Sequence, residues 1–223
     1  TPEKWPQRMA GSFSEQRATQ AWDLLHARAI VLDDGTKQVG IVVVDSCYVP
    51  RHVFDDAKRR VAEMTGIRMD HLMMSATHTH SAPSSRDRWE YKADQEYVEH
   101  LIRGIVQAVT QAHKNLEPAE IGWGVTDVPE EVFNRRWYIK PAGIVANPFG
   151  LTNDTVRMNP PRNPKLLKRP AGPTDPQVSV VSVRSASGRP IALLSNYSLH
   201  YVGGIPAGGV SADYFGEFAR LIE

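Results

Sequence analysis

Leu72-Met73-Met74-Ser75-Ala76-Thr77-His78-Thr79-His80-Ser81-Ala82-Pro83 is the stretch that decides how this chain is read. An apolar run of strand character breaks off into two histidines one residue apart. On extended backbone, residues i and i+2 face the same way, so His78 and His80 are expected to reach one point in space. That arrangement serves two metal ligands, or one ligand and a polar catalytic group. Two strand-end histidines bonded to backbone or solvent would give the same pattern. Ser75 and Thr77 alternate with the apolar residues, and the loop after Pro83 begins with small polar residues. Both features mark the floor of a pocket and weigh against the last reading.

Outward from this stretch the elements alternate in type. Ala27 to Leu32 reads as a strand entering the turn Asp33-Asp34-Gly35, and Gln38 to Val44 returns as its hairpin partner. Apolar residues at 53, 54, 57, 61 and 64 predict a helix over Val53 to Thr65, closed by Gly66. Tyr97 to Asn115 carries a longer helical stripe. Ile121 to Val128 is a further strand, and Val178 to Val183 with Ile191 to Ser195 form a second hairpin. Between Pro141 and Pro176 lie eight of the 16 prolines, which predicts a long loop excursion over 141–176. Phe215 to Glu223 reads as a helix with no Gly or Asn to close it, so the chain is expected to be a piece of a longer protein. The expected fold is α/β, a mixed sheet with layered helices in a single domain over residues 1–223.

Composition narrows the function classes. Hydrophobic content is 41%, charged content 23% and net charge +1, which gives no electrostatic ground for nucleic acid or an anionic membrane as partner. One cysteine, Cys47, excludes an intramolecular disulfide and a Cys-rich zinc site. No apolar run approaches the roughly 18 residues needed to span a bilayer. The chain starts at Thr1 instead of Met, which is compatible with removal of a signal peptide and a secreted or periplasmic location. Nothing in the sequence speaks to oligomeric state.

His200 is the second candidate for chemistry, because it closes another apolar strand, Leu193 to Leu199. A lone histidine there is commonly structural. Two strand ends in histidine, about 120 residues apart, nevertheless suit a metal site assembled by folding. Zinc takes imidazole and carboxylate ligands, and catalytic sites keep one position for water. Phe133-Asn134-Arg135-Arg136-Trp137-Tyr138 is either a surface turn or an arginine aimed at a carbonyl or oxyanion. Asp45 caps a loop or orients a ligand histidine, and Asp213 reads as a helix N-cap. His26, His52, His71, His100 and His113 read as structural or solvated. A His-Glu-x-x-His helix, a Gly-x-Ser-x-Gly elbow and a phosphate-binding glycine loop ending in Lys-Ser/Thr are all absent.

Ser75-Ala76-Thr77-His78-Thr79-His80-Ser81-Ala82-Pro83 closely resembles the Ser-Ala-Thr-His-Thr-His-Ser-Gly-Pro segment of the neutral/alkaline non-lysosomal ceramidase family, with Ala82 in place of a glycine. Leu25 to Gly35 and Val44-Asp45 look like that family's opening hairpin, and Asn134-Arg135 resembles its Asn-Arg-Ser segment. Gly172 to Pro176, Asn196 to His200 and Val210 to Tyr214 come in family order. The resemblance implies the N-terminal portion of a ceramidase-type catalytic domain, in a zinc-dependent amidase acting on a small-molecule or lipid amide. It implies His78 and His200 as Zn2+ ligands, with His80 and Arg135 lining the site and stabilising the amide oxygen. The family's remaining ligands, a glutamate and a tyrosine, and its serine nucleophile lie in its later half. A lipid substrate is compatible with peripheral membrane contact. Another amide or ester substrate, or a binding module that has kept the fold without the chemistry, are the competing readings.

Overall fold

The computed structural model describes residues 1–88, 91–200 and 203–223. These fall into two compact units. One holds Thr1–Pro118 with the described C-terminal residues from 203, and the other holds Ala119–His200.

Three short strands come first: β1 (Gln7–Arg8), β2 (Arg17–Ala18) and β3 (Gln20–Ala21), with β1 and β2 antiparallel. The expected hairpin comes next as β4 (Ala27–Asp33) and β5 (Gln38–Val44). Its turn is built by Asp34, whose Oδ1 accepts the amides of Thr36 and Lys37 and the Thr36 hydroxyl. Those bonds stabilise the ionised carboxylate and pull it down to about 2. Helix α1 (Arg51–Thr65) ends at Gly66, where φ of +78° supplies the left-handed residue of a C-terminal stop. Strand β6 (Leu72–Ala76) then lies parallel to β5, which makes β5 the centre of a three-stranded sheet. Helix α2 (Gln95–Lys114) starts on Asp94, which accepts the amides of Glu96 and Tyr97.

Register decides what is buried. Ala27, Ala29 and Val31 stand beside Val44, Val42 and Gly40, which stand beside Ala76, Met74 and Leu72. This face packs on Val53, Ala57 and Val61 of α1 and on Val98, Ile102, Ile105 and Val109 of α2, forming the principal core. The parallel β5–α1–β6 unit therefore delivers the end of β6, and the histidines after it, at the carboxyl edge of the sheet.

The second unit contains β7 (Ala119–Asp127), β8 (Arg136–Ile139), β9 (Val156–Met158), β10 (Leu167–Pro170), β11 (Gln177–Ser185) and β12 (Pro190–Tyr197). They form two antiparallel sheets, in the orders β12-β11-β7 and β10-β8-β9. The proline-rich stretch is thus not loop throughout, since it supplies β9 and β10 to the two sides of β8. Strands of three and four residues are too short to leave a periodicity in the sequence.

Strand β13 (Gly209–Val210) and helix α3 (Asp213–Ile222) belong again to the first unit. There β13 pairs parallel with β3, and Val210 and Ala212 join Met9, Ala18, Leu25 and Ala82 in a second small core.

Candidate functional site

The ladder between β5 and β6 does not stop with the strands. Thr77 donates its amide to Val44 O and His78 donates to Ser46 O, each at 2.9 Å. At His78 the chain then turns into left-handed backbone, with φ of +70°. The two histidines are therefore not brought together by strand alternation. They nevertheless meet: their Nε2 atoms stand 3.2 Å apart, and the rings are nearly perpendicular with centroids 4.7 Å apart.

The turn is held from two sides. Thr79, fully buried between the histidines, donates its hydroxyl to Ser211 O at 2.8 Å and accepts the Ser81 amide. Ser211 in turn donates its amide to Ser81 O. On the far side, Ala10 donates to Ala82 O and Ser84 donates to Arg8 O, with Met9 bridging Pro83. Segments distant in sequence thus bracket the turn along its length.

Electrostatics set the state of His78. Its Nδ1 lies 2.6 Å from the carbonyl oxygen of Cys47. A carbonyl can only accept, so Nδ1 carries the hydrogen, and in the neutral ring Nε2 then keeps its lone pair. That is the tautomer a metal-binding imidazole needs, fixed by a backbone oxygen. Cys47 Sγ lies 3.8 Å from the same Nδ1, and Cys47, His78 and His80 form a group that could hold a cation. The thiol is a poor member of it. Burial pushes the Cys47 thiol up to about 11, against the opposing charge of Arg86, so it stays protonated. The donor set fits an imidazole-bound cation at His78.

His200 and Arg135 both lie in the other unit. His200 is exposed and stands beyond the end of β12. Arg135 is exposed, and its carbonyl accepts the Asn159 amide. Its neighbour Asn134 donates to Pro173 O and accepts the Arg136 amide.

Asp45 does not orient a histidine of the pair. Its side chain is 1% exposed and accepts the His26 amide and the Arg28 guanidinium, tying β4 to the end of β5. Burial holds its carboxyl above the usual carboxylate range in spite of those donors. Asp213 is not the N-cap of α3. The cap position is Ala212, and Asp213 is the first helical residue at φ of +59°. Among the described residues its Oδ1 accepts only the next amide, that of Tyr214, whereas a capping carboxylate accepts an amide two or three residues on. Sequence reading missed Cys47 as a partner of His78, because the group in contact is a backbone carbonyl and leaves no mark on residue type.

A mixed sheet layered with helices, carrying a His-x-His turn at the carboxyl edge of its central strands, defines an α/β unit with a candidate cation-binding site. Residues 7–204 match the model of the neutral/alkaline non-lysosomal ceramidase family, N-terminal part. The chain belongs to that family. It is 25% identical over 187 residues to neutral ceramidase A and 24% identical to neutral ceramidase B, both of Dictyostelium discoideum, in each case over 78% of this chain. It spans 23% of the length of those relatives. Its fold matches a ceramidase complexed with C2 (TM-score 0.62) and the neutral ceramidase of Pseudomonas aeruginosa (TM-score 0.60). Each match is 20% identical and covers 85% of this chain and 28% of the other. No helix among the described residues is long and apolar enough to cross a membrane.

Proposed function

We propose that this chain is the N-terminal portion of the catalytic domain of a zinc-dependent amide hydrolase, with an N-acyl sphingoid lipid as nominal substrate. The observation that carries this reading is the pre-set His78 ring, its Nδ1–H given to Cys47 O and its Nε2 turned towards His80. When bound, zinc brings the pKa of a coordinated water towards neutrality and polarises the scissile carbonyl. In this reading His78 would hold the metal through an imidazole nitrogen, and His200 is carried over from the family resemblance as a second ligand.

His80 acts from beside the ligand. Without metal, Nε2 of His80 is the N–H that faces Nε2 of His78; a cation held by that His78 nitrogen would free the His80 N–H for a substrate oxygen. Arg135 is carried over from the family resemblance as a further donor, a guanidinium that would offer several fixed N–H groups to a developing oxyanion. The protein acts outside the cell or in the periplasm and meets its lipid substrate by peripheral contact.

The test is metal analysis of the freshly purified full-length protein together with release of fatty acid from ceramide. His78→Ala is expected to lose the zinc and the activity. His80→Ala is expected to keep the zinc and to lose about 10²–10³-fold in kcat, the usual cost of one oxyanion donor. Full zinc occupancy in His78→Ala, or no zinc in the wild-type protein, overturns the reading.

A further inference from the structure

The net charge of +1 averages over an uneven distribution. Between residues 132 and 174 stand eight lysines and arginines and a single acid, Asp154. All of these cations except Arg157 are exposed, and none makes an ion pair among the described residues. In the first unit the pattern is different. There Arg59 and Arg60 reach Asp56, Glu63 and Glu99, and Arg220 reaches Glu217. Unmatched like charges repel one another and destabilise the compact state, a cost that an anionic partner removes. The balance of the whole chain gave no ground for such a partner; this part of it does.

The β10-β8-β9 sheet places some of these charges beside apolar side chains. One of its faces is closed. Ile139 is buried there, and Gly143 comes so near that a Cβ on it would lie 2.4 Å from Ile139 Cγ2. The opposite face carries Arg136 and Tyr138 of β8, with Met158 and Val156 across from them on β9 and Arg169 across from Tyr138 on β10. The Arg169 guanidinium lies over the Tyr138 ring, 4.0 Å from its centroid. Met158 is 51% exposed and Val156 36%. Between β8 and β9 the chain makes an ordered turn, in which Asn147 Oδ1 accepts the amides of Phe149 and Leu151 and Gly150 takes φ of +78°. That turn holds Phe149 out at 87% exposure.

We propose that this part of the second unit docks on the surface of an anionic lipid bilayer, Arg136 and Arg169 meeting lipid phosphates while Met158 and Phe149 enter the boundary between headgroups and acyl chains. Charge complementarity requires an anionic partner, and the interleaved apolar residues select among anions. A nucleic acid would match the guanidinium groups but has no apolar phase to receive Met158, Val156 and Phe149. A bilayer interface offers both, phosphates for the cations and hydrocarbon just beneath for the apolar side chains. That the docked protein draws its substrate from the bilayer rests on the function proposed above; the docking itself does not.

The test is sedimentation of the full-length protein with vesicles of phosphatidylcholine alone, or with about one-third phosphatidylglycerol. The wild-type protein is expected to bind the anionic vesicles about 100-fold more tightly than the neutral ones, and to lose that preference at about 1 M salt. Arg136→Gln combined with Arg169→Gln is expected to weaken binding to the anionic vesicles about 25-fold and to leave the neutral ones unaffected. Phe149→Ala is expected to weaken binding to both about tenfold, with the salt dependence unchanged. All three side chains are exposed, so the fold does not depend on them. Equal wild-type binding to the two kinds of vesicle, or wild-type affinity in both variants, overturns the proposal. So does tighter binding to a single-stranded oligonucleotide than to anionic vesicles at equal phosphate. Vesicle binding as expected, without hydrolysis of ceramide carried in those vesicles, overturns the proposed function and leaves the docking surface standing.

Discussion

Gly11→Ala separates a reading from sequence rules from one based on this structure. Gly11 has no positive φ, so an alanine there adopts the same backbone without strain. General experience with Gly→Ala at such a position is a gain of about 0.4–1 kcal/mol from reduced freedom of the unfolded chain. The structure gives the opposite sign. A Cβ at residue 11 would lie 2.3 Å from both Cβ and O of His80 and 2.5 Å from its Cα. Non-bonded carbons settle at about 3.5–4.0 Å, so the approach is short by about 1.2 Å. Backbone atoms cannot rotate away from it, and the turn around His80 is bonded at Thr79, Ser81 and Ala82.

Overpacking of this kind costs about 1–3 kcal/mol, and the entropy gain offsets only part of it. The expected net loss is about 1–2 kcal/mol. Urea unfolding should show it as a lower midpoint with unchanged slope, the signature of a stability change alone. Displacing His80 by about 1 Å also moves the N–H proposed to face the substrate oxygen, so the kcat of the zinc-loaded full-length enzyme should fall while zinc content, set by His78, is retained. A Gly11→Ala protein as stable as wild type, with full activity, would refute the close approach on which this site depends.

Thr79→Val keeps the shape of the side chain but leaves Ser211 O and the Ser81 amide without their buried partner, at an expected cost of about 1–3 kcal/mol; Thr79→Ser should recover most of it in the same urea assay. Cys47 should resist a thiol-specific disulfide reagent at pH 8 in the folded protein and react fully in denaturant, because burial keeps the thiol protonated. Cys47→Ser keeps the carbonyl that faces His78 and should leave zinc content unchanged in the full-length protein. Asp45 is raised above its unfolded value of 3.8, so the native state holds its proton more tightly than the unfolded chain does. Its contribution is then fully present below that value and is lost as pH rises through the folded pKa. Asp45→Asn should remove that fall from a stability–pH profile measured upward from pH 3.8.

The long elements were legible because burial and periodicity agree in them. Residues 53, 57 and 61 of α1 and the alternating 42 and 44 of β5 all enter the principal core, and residue 40 is buried on the same face. The pieces that escaped reading are those whose pairing is set by distant chain. Strands β1, β2, β3 and β13 have two residues each, and β13 exists only because Gly209 and Val210 find Gln20 and Ala21. The same holds at the site. The His-x-His motif pointed to two rings meeting, and they do converge, but strand alternation was the wrong reason: φ at His78 is +70°. What brings His80 round is a set of hydrogen bonds to residues 8, 10 and 211, none of them visible as a spacing in the sequence.

Left-handed backbone marks this region more sharply than residue type does. Three non-glycine residues among those described have clearly positive φ: His78, Asn159 and Asp213. Asn159 is of a type that tolerates the conformation through local hydrogen bonding, so it calls for no special cause. His78 is not of that type, and Asp213, though short and polar, is buried with its Oδ2 unbonded among the described residues. Strain of this kind costs on the order of 1–3 kcal/mol per residue. Both residues are over-determined from outside. His78 is pinned by its amide to Ser46 O and its ring to Cys47 O, and Asp213 by its amide to Ser211 Oγ. Ser211 also ties the Asp213 segment to Thr79 and Ser81, so both strained residues bear on the turn that carries His80. A turn that needed only to lead the chain out of β6 would relax to ordinary backbone. Relaxing the backbone of His78 would swing its imidazole away from Cys47 O and from His80, so the scaffold sets the geometry of the pair before any ligand arrives.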